Sequence, residues 1–312
     1  MGSTTNMKRI ASLVALIWSL VVAQSRADLT FFTCSDTHYR GEVASNATKT
    51  ATVDLMNALP GKPYPADLGG GTVGVPRGVI VPGDLIDHGQ APAKLVHQEW
   101  ALWTADFGLH GEGRLKFPTY EGYGNHDYNE HFYVENEIKA RNLARSNVVA
   151  IASNGYHYAW EWDGIHFIQL NLYPGTIRPK GAGGQSPRHA LEFLRDELKK
   201  DVGTSGRAVI VSFHYQPTDT WWTDEEKQAF YDAIHDYNVI LIIHGHQGRA
   251  SIADWKGLTV LDNNDFFSTG FFIVHIDNGN HMRIVQRTRS DQWGLSLKKV
   301  FTNPKSDKQV KP

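Results

Sequence analysis

One cysteine in 312 residues, Cys34, leaves the chain without an intrachain disulfide and without a thiolate set for soft metals. It stands inside a strand-like run, where a small core residue is expected rather than a ligand or nucleophile. An excess of charge is missing as well. The 31 Lys and Arg against 33 Asp and Glu leave a net −2, so nothing suggests a bulk electrostatic attraction to nucleic acid or to an anionic membrane. Long apolar runs are absent too. The run over residues 10–23 is about 14 residues, short of the roughly 20 that a spanning helix needs. No internal repeat appears, and no linker divides the chain.

What is present at the N-terminus is a leader pattern. Lys8-Arg9 precede the apolar run, and Ser25-Arg26-Ala27 supply small residues at −3 and −1. This predicts a secretory signal over residues 1–27, cleaved after Ala27. It also predicts a secreted or periplasmic location with no stable membrane insertion after cleavage. The remaining chain, at 41% hydrophobic and 21% charged residues overall, reads as one soluble globular domain over 28–302 with a polar tail at 303–312.

Apolar spacing predicts helices over 46–59, 91–107, 130–147, 190–202 and 224–237. Thr223 and Glu226 form an N-terminal capping pair for the last of these. Residues 156–162 and 165–170 read as a β-hairpin on Asp163-Gly164, and 258–261, 270–276 and 281–288 read as closing strands. The Pro/Gly-rich stretch 60–78 reads as a surface loop on the rim of a site. A second Gly/Pro loop over 173–188 carries Arg178, Lys180 and Arg188. Asn46-Ala47-Thr48 is a glycosylation sequon. The alternation of strands and helices predicts an α/β domain.

The chemistry is concentrated at strand ends. Thr30–Ser35 runs into Asp36-Thr37-His38. Gly78–Val81 runs through Pro82-Gly83 into Asp84-Leu85-Ile86-Asp87. Thr119–Tyr123 leads to Gly124-Asn125-His126-Asp127, residues 208–213 lead to His214, and residues 239–243 lead to His244-Gly245-His246-Gln247. Loops at the carboxyl ends of strands are where α/β sheets build sites. Asp, His and Asn without thiolates suit hard to borderline ions such as Mn, Fe or Zn.

In this order, Asp-x-His, Gly-Asp-x-x-Asp, Gly-Asn-His-Asp, His and Gly-His, the chain resembles the calcineurin-like metallophosphoesterases over nearly all of its length from Leu29 to Phe301. The resemblance implies two packed mixed β-sheets flanked by helices, and two divalent or trivalent metal ions. Asp36, His38 and Asp84 would hold one ion. Asp84, Asn125, His214 and His246 would hold the other, with Asp84 bridging. The ions would neutralise a phosphate ester and lower the pKa of a bridging water to give the nucleophile. His126 would be the general acid, with Asp127 orienting its imidazole. The expected activity is phosphate ester hydrolysis on a small phosphorylated substrate, a phosphomonoester first. The alternatives are a phosphodiesterase acting on nucleotides or lipid head groups, and a metal-binding scaffold without turnover.

Several positions carry open readings. Asp87 orients Asp84 or a ligand histidine, or caps a helix. His244 is either a neighbour supporting the ligands or a structural residue. His88, His97, His110 and His131 have no ligand role in the motif. Many family members read Gly-His-x-His, whereas here Gly248 stands at the second histidine, so the first ion is expected to be held more weakly unless Asn264 or Asp265 completes it. Tyr39, Arg40, Tyr128, Tyr215, Trp221 and Trp222 follow the motif blocks and are expected along the rim.

Overall fold

A computed structural model describes residues 28–128, 131–175, 186–263 and 265–301. The expected signal at 1–27, the tail at 303–312, Arg178, Lys180 and Asn264 lie outside the described residues. No helix among the described residues is long and apolar enough to cross a membrane.

Two mixed sheets make the fold, as the family resemblance implied. The first joins β1 (Leu29–Thr33), β2 (Val79–Val81), β3 (Thr119–Glu121), β11 (Phe271–Ile276), β12 (His281–Arg287) and β13 (Trp293–Val300) in the order β13-β12-β11-β1-β2-β3. The second joins β4 (Val148–Ile151), β5 (Tyr158–Trp162), β6 (Ile165–Gln169), β7 (Ala208–Ser212), β8 (Asn238–His244), β9 (Ala250–Trp255) and β10 (Leu258–Asn263) in the order β4-β5-β6-β7-β8-β10-β9. Within each sheet three strands that carry motif blocks or adjoin them run parallel, β1-β2-β3 and β6-β7-β8. Parallel neighbours need crossovers. These contain α1 (Ala47–Ala58), α2 (Ala93–Asp106), α4 (Ala190–Glu197) and α5 (Asp224–Ile234), while α3 (Tyr133–Ala144) follows β3.

Strand side chains alternate between two faces, and here both faces are apolar. Phe31, Ile80, Ile210 and Leu241 point between the sheets. Phe32, Val79, Val81, Val209 and Val211 belong to a second cluster with residues of the helices. Aromatic contacts cross from sheet to sheet, Phe31 to Phe167 at 5.5 Å and Tyr120 to Trp160 at 4.6 Å between ring centres. The hairpin turns on Asp163 and Gly164, both at positive φ (48° and 80°), as a two-residue turn of the primed type requires. The Thr223–Glu226 pair forms the expected reciprocal cap of α5.

Three strands were not anticipated, β4, β9 and β13. The Pro/Gly stretch before β2 packs against sheet one, where Arg283 donates to the Leu68 and Gly70 carbonyls. The Asn46 side chain is buried and donates to the Arg40 and Glu42 carbonyls, so the sequon offers no accessible amide. Cys34 is a fully buried core residue, and burial pushes its thiol pKa up.

Candidate metal centre

Five loops meet at the carboxyl ends of β1, β2, β3, β7 and β8. The first two run side by side and extend the parallel ladder. The amides of Asp36, His38 and Tyr39 donate to the carbonyls of Gly83, Asp84 and Leu85 at 3.0–3.1 Å. The third loop is tied to the second by His126 N to Asp84 Oδ1 at 2.8 Å. The two loops of sheet two are tied to each other by Gly245 N to the His214 carbonyl at 3.1 Å, and they join the sheet-one loops through His246 N to Asp36 Oδ2 at 3.1 Å. Close approach explains the motif glycines: a Cβ on Gly124 would collide with the Asp84 carboxylate, and one on Gly245 with Asp36.

Asp36, His38, Asp84 and His246 all sit at positive φ (53°, 42°, 53° and 77°). Non-glycine residues in this region cost on the order of 1–3 kcal/mol each and persist only where their surroundings hold them. Here the paired loops do so.

The donors form two groups that share Asp84. His38 Nε2 lies 3.8 Å from Asp36 Oδ1 and 3.7 Å from Asp84 Oδ2. These gaps are too long for hydrogen bonds and suit ligands placed about 2 Å from a common ion. His214 Nε2 lies 3.2 Å from the same Asp84 Oδ2 and 3.0 Å from Asn125 Oδ1. Donor atoms of Asp84, His38 and His126 lie within 4.8 Å of one another, as do those of Asp84, His214 and His246. The six sequence-predicted ligands and His126 are therefore brought together.

The electrostatics fit cations. Burial disfavours a charged imidazole at both His38 and His214. The carboxylates around them outweigh burial and push His38 up to about 10 and His214 up to about 8. Burial likewise raises Asp84, yet His214, His38 and His126 hold it well below the usual carboxylate range. At His246 burial and the adjacent His214 act together and lower the pKa.

Asp127 corrects an expectation. Its carboxylate is fully buried. Oδ1 accepts from the amides of Leu85 and Ile86 at 2.9 and 3.1 Å, and Oδ2 from Gly124 at 2.8 Å. It fastens the Asp84 loop to the Asn125 loop instead of orienting the His126 imidazole. Burial and Asp84 push its pKa up to about 7. The residue that lies against both imidazoles is Asp87. Its Oδ1 lies 3.1 Å from His38 Nδ1, its Oδ2 accepts from Arg40 Nε at 2.6 Å, and its carbonyl accepts from His126 Nδ1 at 2.8 Å.

Other neighbours are also resolved. His244 is buried, its Nδ1 donating to the Gly245 carbonyl at 2.9 Å and lying 3.8 Å from Asp262. Tyr39, Tyr215 and Trp222 are buried packing residues, while Arg40 is exposed. Sequence reasoning missed Asp219. This buried carboxylate accepts from Gln247 Nε2 at 2.8 Å and lies 3.7 Å from His246 Nε2. It stands in the loop after His214 with no motif around it. Gly248 has φ +68°, and the atom nearest to a Cβ built there is Asp265 Oδ2 at 4.0 Å. Asp265 thus stands where a side chain at 248 would reach.

The family model for calcineurin-like phosphoesterases matches residues 29–250. No curated protein matches the chain in sequence. Among solved structures, GAP50, the anchor in the inner membrane complex of Plasmodium, superposes with a TM-score of 0.58 at 12% identity, over 88% of this chain and 90% of that one. A dimetal phosphatase from Danio rerio superposes at 0.56 and 11% identity, over 88% and 99%. At these identities the likeness is one of fold. One neighbour is an anchor and the other an enzyme, so the fold alone does not choose between them.

Proposed function

Because the chain belongs to the calcineurin-like phosphoesterase family, we propose that it is a metal-dependent hydrolase of small phosphomonoesters, exported after loss of residues 1–27. The single observation carrying the enzymatic reading is the Asp84 carboxylate. Its Oδ2 lies between His38 Nε2 at 3.7 Å and His214 Nε2 at 3.2 Å, as a bridging ligand must. Asp36, His38 and Asp84 would hold one ion, and Asp84, Asn125, His214 and His246 the other. Mn, Fe or Zn suits this donor set. When bound, the two ions supply charge neutralisation of the phosphate and an activated water.

The remaining roles belong to the chain. His126 is 43% exposed at its side chain and donates from Nδ1 to the Asp87 carbonyl. Nε2 is then the nitrogen that passes a proton to the leaving alkoxide. Asp87 fixes the His38 ring from behind. Asp127 holds the loops that carry Asp84 and Asn125. An accessible His126 beside a nearly full donor set favours turnover over a scaffold role.

The test is a panel of alkyl and nitrophenyl phosphomonoesters and diesters, assayed with Mn, Zn, Fe and Mg added separately. His126→Ala should keep its metals and lose roughly 10²–10⁴ in turnover on alkyl monoesters. The loss should be smaller on nitrophenyl phosphate, which needs little protonation. Equal losses on both would remove His126 from the acid role, and no hydrolysis with any ion would remove the enzymatic reading.

A further inference from the structure

A cavity of about 430 Å³ opens beside the two imidazoles His38 and His126. Three separate cations, Arg40, Lys49 and Arg289, line it together with the Phe267 ring. The cations come from the loop after β1, from α1 and from the turn after β12, and Phe267 from the segment after β10, so no single charged helix face brings them together.

Lys49 is the unusual member. The residue is 4% exposed. Its ammonium donates to the His38 carbonyl and to Asn46 Oδ1. Both acceptors are neutral, and an ammonium has three protons to give. Burying a charge without a counterion is costly. Arg40 engages Asp87 through Nε and is otherwise largely exposed. Arg289 has no ion pair among the described residues. The one carboxylate in the cavity wall, Asp87, is already engaged by His38 and Arg40. The cavity therefore holds more positive than negative charge, and it adjoins the proposed acid.

We propose that this cavity receives a second anionic group on the leaving-group side of the substrate, so that preferred substrates are phosphomonoesters bearing a further phosphate or carboxylate. This rests on the phosphatase reading above and names its substrate class. The Phe267 ring supplies an apolar wall for the body that links the two anions, and the volume falls within the range of small-molecule sites.

The experiment compares a nucleoside bisphosphate with the matching monophosphate, and phosphoglycerate with glycerol phosphate, against nitrophenyl phosphate as the reference with a single anionic group. The two pairs separate a phosphate from a carboxylate as the second anion. The metal-loaded wild-type protein should prefer the more anionic member of at least one pair in kcat/KM. Arg289→Gln should raise KM for that member about 10-fold to 100-fold, the size of a lost charge-assisted hydrogen bond. It should leave nitrophenyl phosphate within about twofold. Lys49→Met should shift KM in the same direction, and Arg289→Gln stands alone if that variant does not fold. Calorimetric titration with methylene bisphosphonate should show the same 10-fold or greater weakening in Arg289→Gln. Equal preference within both pairs, or unchanged bisphosphonate binding in Arg289→Gln, would overturn the proposal. If the wild type fails to hydrolyse nitrophenyl phosphate with every ion, the phosphatase reading falls, and the titration alone decides whether the cavity binds the second anion.

Discussion

Replacing Asp87 with asparagine keeps the volume of the side chain and removes its charge. The carboxylate touches His38 Nδ1 at 3.1 Å and Arg40 Nε at 2.6 Å. An amide can satisfy one of these donors and must present its own N–H to the other. A carboxylate behind a ligand histidine fixes the ring and raises its basicity, and losing it lowers metal affinity by about 10-fold to 100-fold, or about 1.4–2.7 kcal/mol. The loss should fall on the site served by His38. The site served by His214 and His246 makes no contact with Asp87 and should change by less than about twofold. The Arg40 pair is exposed on the arginine side and adds at most about 1 kcal/mol to folding, so the variant should remain folded. The bond from His126 Nδ1 goes to the Asp87 backbone carbonyl, which asparagine retains. Proton transfer should therefore survive, and saturating metal should restore turnover. Calorimetric titration of the metal-free protein with Mn would resolve two events in the wild type and weaken one in Asp87→Asn. Equal weakening of both sites, or turnover that excess metal does not rescue, would refute the assignment of Asp87 to His38.

Metal binding should release protons, because His38 and His214 are pushed up to about 10 and about 8 from an ordinary 6.5 and must lose their protons to ligate. Affinity should climb with pH most steeply below about 8 and level off near 10. For the metal-free fold the sign is opposite: raised pKa values give stability that is complete below 6.5 and lost as pH rises toward 8 and then 10. Melting curves with and without chelator across that window, with titrations in buffers of different ionisation heat, check both, and titrations that release no protons would sink the idea. Exported protein should begin at Asp28, and N-terminal sequencing that finds Met1 or Met7 would exclude the leader.

The side chains that converge on the site were legible because each stands directly after an apolar strand in a spacing that geometry enforces. What the sequence could not carry is direction. His126 and Asp127 are neighbours in the chain, yet one ring is open to solvent and the other side chain is buried among backbone amides. Asp87 had three open readings because its partners lie in other segments. Tyr39, Tyr215 and Trp222 follow motif residues but turn into the core, where the Tyr39 hydroxyl finds Asp106 at 2.6 Å. The strands β4, β9 and β13 were missed because they are exposed edge strands. Backbone pairing holds them, and no strong apolar alternation announces them. Lys49 sat unremarked in a predicted helix, since nothing local marks an ammonium that folds back onto the His38 carbonyl.

The donors divide unevenly between the sheets. Asp36, His38, Asp84 and Asn125 hang from the first, and His214 and His246 from the second. The first sheet alone could assemble one group, but the second group exists only once the aromatic layer between the sheets has closed. An ion held between Asp84 and His214 would therefore act as a rivet across a seam that side-chain packing alone would otherwise hold.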